Sequence, residues 1–198
     1  MVGRFFLARP GDVHQQESDS IALLSGPPSC GKTSLLFQFA INSALECSSS
    51  NRKVVFICNR RRLENKPPYL YQGIDPSSDV FQRIKMKYAD DDDGIKKYFA
   101  AFHLHDTFPA AVIVDDFGDF FQERSCQERY GNPRGRDLAM RWIPAIFTVK
   151  GDGTGSFLLK YNKYSGNGSS KSERIAKYSI AFQYLFLEEI TEDGDDEQ

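Results

Sequence analysis

The amino-acid sequence predicts an α/β fold with a parallel core and antiparallel strands toward its C-terminal end. Three observations lead to this prediction. Short apolar runs alternate with helical patterns as far as Asp116, and strand-like runs joined by turns follow. A glycine-rich loop between the first apolar run and the first helix is the third observation. The chain has 198 residues, which is enough for one domain with a proper core and short for two.

Composition and charge exclude several classes of protein. Hydrophobic residues make up 40% and charged residues 26%, as in an ordinary globular protein. The net charge of -2 neither favours nor excludes a nucleic-acid partner, because only the distribution of charge bears on that question. The 4 cysteines are widely spaced, which argues against a zinc site made by this chain alone and against a disulfide framework. We therefore expect a reducing, intracellular compartment, and no apolar run is as long as a membrane span.

The first half of the chain contains the elements of a parallel sheet. Residues 20–25 form a short apolar run that is typical of a strand buried on both faces. Residues 33–46 have apolar side chains at helical spacing, and residues 54–58 form a second β-branched run. This order of strand, loop, helix and strand predicts a βαβ unit.

Further elements follow the same logic. Asp75 and Pro76 predict the start of a short helix, and residues 84–88 alternate as in a half-buried strand. The acids at 90–93 favour a helix N-terminus, and the helix after them has Ile95, Tyr98, Phe99 and Phe102 at a spacing that faces a sheet. Residues 110–114 predict another buried strand.

The C-terminal third predicts antiparallel strands at 143–149, 156–161 and 178–187. Residues 117–140 are expected to be helical in part, and 166–172 to form a polar loop. We divide the chain into a flexible N-terminal arm (1–19), one phosphate-loop domain (20–187) and an acidic, disordered tail (188–198).

The loop from Gly26 to Thr33 fits the phosphate-binding pattern G-x-x-x-x-G-K-[ST]. Its glycines allow backbone N–H groups to converge on phosphate oxygens, and the following helix directs its positive end to the same place. Lys32 is expected to reach the β- and γ-phosphates, and the Thr33 hydroxyl to ligate Mg²⁺. The predicted nucleotide-binding residues are Gly26, Pro27, Pro28, Ser29, Cys30, Gly31, Lys32, Thr33 and Ser34. The alternative is a chance Gly/Pro-rich turn.

Two acids follow the strand at 110–114. Asp115 is the candidate magnesium ligand, usually through water in such sites, and Asp116 is a candidate base that orients the attacking water. Lys32 and Asp116 are therefore the predicted catalytic residues. The alternative is that both acids only cap the next helix.

The runs at 35–40 (LLFQFA) and 54–57 (VVFI), with the order of elements, resemble RecA-type recombinases and their paralogues. Within that family, the basic loop at 59–63 (NRRRL) and the stretch from 75 to 88 are similar to the ATPase subunits of Shu complexes. The resemblance covers about residues 21–121, and the phosphate loop itself is generic.

The resemblance implies a RecA-like three-layer sandwich with a parallel central sheet. It implies a nuclear protein that binds ATP, Mg²⁺ and single-stranded DNA and supports recombinase filaments in homologous recombination and double-strand-break repair. The implied partners are a SWIM-type zinc-finger protein and a RecA-like recombinase. By position, Gly26 to Thr33 are implied to bind phosphate and Asp115 magnesium.

Two features depart from that family. RecA-like ATPases carry a water-activating glutamate after the second strand, whereas Asn59, Arg60 and Arg61 occupy the matching place and Arg does not lose its proton. We therefore expect slow ATP hydrolysis. In addition, residues 117–141 are too few for the further strands and DNA-binding loops of a RecA core. Either the DNA-contacting part is shortened or this is a truncated form.

Basic and aromatic clusters are the candidates for contact with DNA. Basic groups bind phosphates and aromatic rings stack on bases, although a solvated mixed-charge face explains each cluster alone equally well. One cluster surrounds Tyr69 and Tyr71, and another surrounds Tyr161, Tyr164 and Tyr178. A further basic group lies at 134–141. The predicted nucleic-acid residues are Arg60, Arg61, Arg62, Lys160 and Lys163.

Other functions share a phosphate loop. A small-molecule nucleotide kinase would also need an acceptor site and an arginine-bearing lid, and a non-catalytic module would use ATP only to hold its structure together. The missing glutamate favours the module over the kinase. A GTPase is disfavoured because residues 162–165 (NKYS) lack the final acid of its base-reading motif.

Overall fold

A computed structural model describes residues 2–6, 21–47, 52–71, 73–104, 106–120, 145–163 and 174–192. It contains both helices and strands with parallel and antiparallel pairing, so the predicted α/β class is confirmed. The chain divides into two compact units. One comprises Met1–Lys32 with Gly131–Gln198, and the other Thr33–Tyr130.

The unit Thr33–Tyr130 is built on a small parallel sheet. Strand β2 (Val54–Cys58) lies between β4 (Ile84–Tyr88) and β5 (Ala111–Val114) and is parallel to both. The helices are α1 (Lys32–Glu46), α2 (Arg60–Asn65), α3 (Asp92–Ala100) and α4 (Phe117–Phe120), with 3-10 turns at Asp79–Arg83 and Phe102–Leu104 and a two-residue strand β3 (Leu70–Tyr71).

Strand β2 forms the centre of this unit because all five of its residues are apolar and buried. Val54, Phe56 and Cys58 pack with Ala40, Ile41 and Ala44 of α1 on one face. Val55 and Ile57 pack with Ile95 and Tyr98 of α3 on the other. The predicted strands at β2, β4 and β5 are confirmed, but β5 is not fully buried as predicted, since only Ile113 is buried in it. Phe99, expected to face the sheet, is 48% exposed.

The other unit is built on a sheet in which β1 (Ala22–Ser25), β6 (Ala145–Gly151), β7 (Ser156–Lys163), β8 (Arg174–Ala181) and β9 (Tyr184–Glu192) are neighbours in that order. β1 is parallel to β6, and each later pair is antiparallel. The predicted antiparallel strands of the C-terminal third are confirmed.

One face of this sheet carries the core of the unit. Leu159, Ala176 and Tyr178 are fully buried. A 3-10 helix at Val2–Phe5 also belongs to this core: the Phe5 ring lies 4.8 Å from that of Phe147, and the Phe6 ring 5.7 Å from that of Tyr178. The prediction of a flexible arm is therefore wrong for residues 2–6, because their aromatic side chains are buried.

Pairing in the sheets corrects two further predictions. The sequence predicts that β1 is buried on both faces, but none of its four residues is fully buried, and its only strand neighbour among the described residues is β6. The sequence also predicts one βαβ unit of β1 and β2 in a parallel central sheet, but the two strands belong to different sheets. Strand order depends on pairing between distant segments, which local apolar runs do not encode.

Local turn chemistry corrects two more predictions. The run at 178–187 is not one strand, because the chain reverses at Phe182 and Gln183, whose φ angles are +50° and +66°. Asp75 does not start a helix. Its carboxylate instead forms a turn by accepting hydrogen bonds from the Ser77 N–H (2.8 Å) and the Ser77 hydroxyl (2.7 Å). The 3-10 turn begins later, capped by Ser78.

Several predictions fall outside the described residues. These are the partly helical segment beyond Phe120, the polar loop at 166–172, the arm beyond residue 6 and the tail beyond Glu192. The part of the predicted tail that is described, 188–192, belongs to β9. No helix in the described part of the chain is both long and apolar enough to cross a membrane.

Candidate functional site

The phosphate loop connects β1 to α1, as the sequence predicts. Ser29 and Gly31 adopt positive φ angles of +61° and +82° on either side of Cys30. Left-handed residues that alternate with ordinary ones turn successive N–H groups to one side, which is the backbone pattern of anion-binding nests. Ser29 holds this conformation although it is not a glycine, which costs roughly 1–2 kcal/mol.

Both glycines of the loop lie against strands of their own unit. A Cβ atom on Gly26 would lie 2.7 Å from Val149 Cβ, and one on Gly31 would lie 2.6 Å from Ile180 Cδ1. Gly26 has a packing reason to be glycine, because Val149 Cβ is attached directly to the β6 backbone and cannot move alone. At Gly31 the near atom is the end of the Ile180 side chain, which can shift, so the positive φ is the stronger reason for glycine there.

The Lys32 side chain bonds back to the start of the loop. Its Nζ donates hydrogen bonds to the backbone carbonyls of Gly26 (3.0 Å) and Pro27 (2.8 Å). The side chain is half-buried rather than exposed. Its ammonium thus has two neutral acceptors, which phosphate oxygens can replace with stronger, charged ones.

The other predicted nucleotide-binding residues differ in accessibility. Pro27, Pro28 and Ser29 are exposed and Thr33 is half-buried. Cys30 is fully buried, and burial raises the pKa of its thiol. Ser34 is 4% exposed, and its hydroxyl accepts a hydrogen bond from the Tyr69 N–H at 2.9 Å, so its side chain has a structural role.

Asp115 and Asp116 lie at the carboxyl end of β5, as the sequence predicts. Since β2, β4 and β5 are parallel, their carboxyl ends meet at one edge of the sheet, where ligands of open α/β sheets bind. Asp115 is 5% exposed, and its N–H donates to the Ile57 carbonyl of β2 at 2.9 Å. Burial, followed by the charges of Asp115 and Asp116, raises the pKa of the Cys58 thiol to about 11. Cys58 therefore stays a neutral thiol at this edge.

Asp116 has a partner that its place in the sequence does not reveal. Arg62 Nη1 lies 3.4 Å from Asp116 Oδ2, and the same nitrogen contacts Asp119 Oδ2. Hydrogen bonds to Asp119 first, and to Asp116, raise the pKa of Arg62 above its usual value. Asp116 also has a positive φ of +52°. The candidate base is thus half-exposed and also lies within ion-pair distance of Arg62.

No acid takes the place of the missing glutamate directly after β2, where Asn59, Arg60 and Arg61 are all described. The Asn59 side chain caps α2 by accepting a hydrogen bond from the Arg62 N–H at 3.2 Å. The acid next in the chain, Glu64, is bound to Arg60 at 2.8 Å. Neither side chain is arranged to activate water.

The predicted DNA-binding residues divide between the two units. Arg60, Arg61 and Arg62 occupy the first turn of α2. Arg60 stacks over the ring of Tyr88 at 5.3 Å, and Tyr88 is 47% exposed. Of the three arginines, Arg61 alone has no side-chain ion pair within the described residues.

The remaining candidates lie on β7. Lys160 is half-buried within the strand, and Lys163 is its last residue. The sequence groups Tyr178 with this cluster, but Tyr178 is fully buried and is excluded as a surface for stacking bases. Tyr164 and residues 134–141 lie outside the described residues.

Sequence reasoning misses the roles of three residues at these sites. The sequence predicts only that Tyr88 lies in a strand. The signal for its contact with Arg60 is the register of the sheet, which pairs Tyr88 with Cys58, just before α2. Asp119 is predicted to lie in a helix, and its i+3 position after Asp116 is the only signal of its role. Tyr178 has no local signal at all, because its contact with the loop spans 148 residues.

Thr33 and Asp115 are the residues of the described chain that could hold a nucleotide-bound magnesium ion. Within the described ranges, no three His, Cys, Asp or Glu side chains are grouped so that they hold a metal ion. Magnesium bound with a nucleotide keeps waters and phosphate oxygens and takes only one or two protein ligands. Thr33 and Asp115 supply donors of that kind.

No protein-family model matches this chain, and no curated protein matches it significantly.

Proposed function

We propose that this chain is an ATP-binding, RecA-like accessory factor of homologous recombination and double-strand-break repair. It acts in the nucleus with a SWIM-type zinc-finger protein and a RecA-like recombinase, and it binds single-stranded DNA. The observation that carries the nucleotide part is the loop from Gly26 to Lys32, in which Gly31 has a positive φ and Gly26 packs closely against Val149. The recombination part rests on the resemblance in sequence.

In this proposal the nucleotide phosphates bind the backbone N–H groups of the loop. Lys32 exchanges the carbonyls of Gly26 and Pro27 for phosphate oxygens, because a charged acceptor bonds an ammonium more strongly than a neutral one. Thr33 is the magnesium ligand of the loop and Asp115 the second candidate. Magnesium, when bound, neutralises charge on the phosphates.

Hydrolysis is slow in this proposal. Arg60 and Asn59 stand where a water-activating acid is needed, and Asp116 is paired with Arg62. The same pairing favours a second candidate function, a non-catalytic module in which ATP binding alone sets the conformation that partners recognise. The two candidates differ in turnover and not in ATP binding.

DNA contact in this proposal uses the first turn of α2. Arg61 projects charge that no described acid neutralises, while the exposed Tyr88 ring with Arg60 offers a stacking surface. Base stacking on aromatic rings is worth about 1–3 kcal/mol per base and tolerates any sequence. Binding is therefore expected to be independent of sequence and sensitive to salt.

A filter-binding assay on the full chain tests the proposal, using labelled ATP, GTP and single-stranded DNA. We expect retention of ATP and DNA, with GTP competing more weakly because its base-reading motif is absent. Lys53→Ala, which changes an exposed lysine outside the loop, is the matched control for Lys32→Ala. Equal retention of ATP by wild type and Lys32→Ala would contradict the nucleotide site, and absence of DNA retention would contradict the accessory role.

A further inference from the structure

The phosphate loop is hydrogen-bonded to a buried tyrosine that lies far away in the sequence. The Tyr178 hydroxyl of β8 donates a hydrogen bond to the backbone carbonyl of Cys30 at 2.6 Å. Both residues are fully buried, so water does not compete for either group. This is a polar contact from the core of the unit to the middle of the loop.

The tyrosine ring is itself fixed. It lies 5.5 Å from the Phe157 ring in a stacked arrangement and 5.7 Å from the Phe6 ring. Burial raises the pKa of the Tyr178 hydroxyl above its usual range, so the group remains a donor at any physiological pH. A rigid donor of this kind holds one acceptor in one orientation.

Neighbouring contacts act on the same side of the loop. Val149 of β6 lies against Gly26, and Ile180, two residues after Tyr178 on β8, lies against Gly31. The hydrogen bond to Cys30 falls between these two apolar contacts along the loop. Together the three contacts fix the distance of the loop backbone from the sheet.

The orientation of the Cys30 carbonyl determines that of the next N–H group. A trans peptide bond is planar, and its C=O and N–H groups point in opposite directions. Because the Cys30 carbonyl points toward the Tyr178 hydroxyl, the N–H of Gly31 points away from that hydroxyl. Gly31 follows in the left-handed conformation, which glycine adopts without strain.

We propose that Tyr178 is a positioning residue for nucleotide binding, which sets the Cys30–Gly31 peptide so that the Gly31 N–H faces the phosphates. The inference rests on the proposed function, since it assumes that the loop binds a nucleotide. It goes further because it assigns a role in ligand binding to the β8–β9 part of the chain.

The test uses Tyr178→Phe in the full chain, which retains the ring and its packing and removes only the hydroxyl. Affinities for ATP and for tripolyphosphate are measured by competition with a fluorescent ATP analogue and are expressed per folded molecule. We expect both ligands to bind about three- to tenfold more weakly, the usual range for losing one hydrogen bond. Tyr184→Phe, a half-exposed tyrosine on β9, is the control and should bind as wild type.

Loss of stability alone lowers the melting temperature but leaves the affinity of the folded fraction unchanged. If Tyr178→Phe binds both ligands as tightly as Tyr184→Phe, the positioning role is overturned. Lys32→Ala, measured alongside, separates the two proposals. Unchanged affinity in Lys32→Ala overturns the nucleotide site itself, whereas weakened affinity there with normal Tyr178→Phe overturns only the inference about Tyr178.

Discussion

Single residues decide whether the loop keeps its shape, and Gly31 is the clearest case. It combines a positive φ of +82° with a close approach to Ile180 Cδ1. Gly73 has a similar φ of +98°, but a Cβ atom added to it would have no neighbour within 4 Å. An alanine at either position would have backbone strain, but only an alanine at position 31 would also meet a neighbouring side chain.

We expect Gly31→Ala to weaken ATP binding and to destabilise the fold by more than the roughly 1–2 kcal/mol of left-handed strain. Gly73→Ala should cost only that strain and leave ATP binding intact. Urea denaturation and ATP titration of both variants provide the measurement. An equal loss of stability in the two variants would show that Ile180 yields easily and does not fix the loop.

Asp116 is the candidate base for the proposed ATP hydrolysis. The wild-type chain should turn over ATP well below the roughly 1–100 s⁻¹ of efficient phosphoryl-transfer enzymes such as kinases. If Asp116 is the base, Asp116→Asn should lower the residual rate by about 100-fold, the lower end of what a general base contributes. Arg62→Gln should raise it several-fold by releasing the Asp116 carboxylate.

A phosphate-release assay checks both variants, with ATP affinity measured in parallel. Turnover that is the same in wild type, Asp116→Asn and Arg62→Gln would clear Asp116 of the base role. Wild-type turnover of many ATP molecules per second would show that the missing glutamate has a substitute.

At the scale of elements, the β8–β9 hairpin depends on a turn with unfavourable residues. Phe182 and Gln183 both have positive φ, the conformation of a type I′ turn that Asn-Gly fits best. Phe182 is 90% exposed, so its ring contributes little packing.

We expect replacement of Phe182 and Gln183 by Asn-Gly to stabilise the chain by about 0.5–2 kcal/mol. The melting temperature should rise by about 2–4 °C per kcal/mol for a chain of this size. Phe182→Asn alone should give part of the gain. A melting temperature that does not rise would mean that the hairpin conformation is not limiting for stability.

Elements were predictable from the sequence where the signal is local. The five apolar residues of β2, the alternation in β4 and the loop from Gly26 to Thr33 all lie where their patterns predict. The turn at Phe182 could not be predicted, because neither of its residues is a usual turn former. The pairing of β1 with β6 could not be predicted either, because β6 begins at Ala145, far along the chain.

The candidate site was predictable to the same extent. The loop motif indicates Lys32 and Thr33, and the apolar strand that ends just before Asp115 indicates that acid. Neither pattern indicates that Asp116 pairs with Arg62 or that Tyr178 bonds to Cys30. Such contacts join residues 54 and 148 positions apart, and they follow from tertiary packing rather than from spacing.

At the scale of the whole molecule, the net charge is -2, so the proposed DNA binding depends on local charge. Ion pairs engage Arg60 and Arg62, which leaves Arg61 as the main candidate for a phosphate contact at α2. We expect Arg61→Ala to reduce the slope of log affinity against log salt by about 0.7, the value for one phosphate on a single strand.

Neutralising Arg60, Arg61 and Arg62 together should lower the salt slope little more than Arg61→Ala does alone. Tyr88→Ala should weaken DNA binding without changing the salt slope. Fluorescence anisotropy over a salt series separates these effects, with Lys53→Ala as control. A slope unchanged by the triple substitution would identify α2 as an ordinary solvated face.

Isothermal titration calorimetry of the full chain with MgATP shows whether the loop from Gly26 to Thr33 binds ATP. We expect saturable binding to wild type and Lys53→Ala, and binding weakened about tenfold or more in Lys32→Ala, because a hydrogen-bonded charged group is lost. The same affinity in all three proteins, or no binding heat from wild type, would contradict ATP binding by this loop.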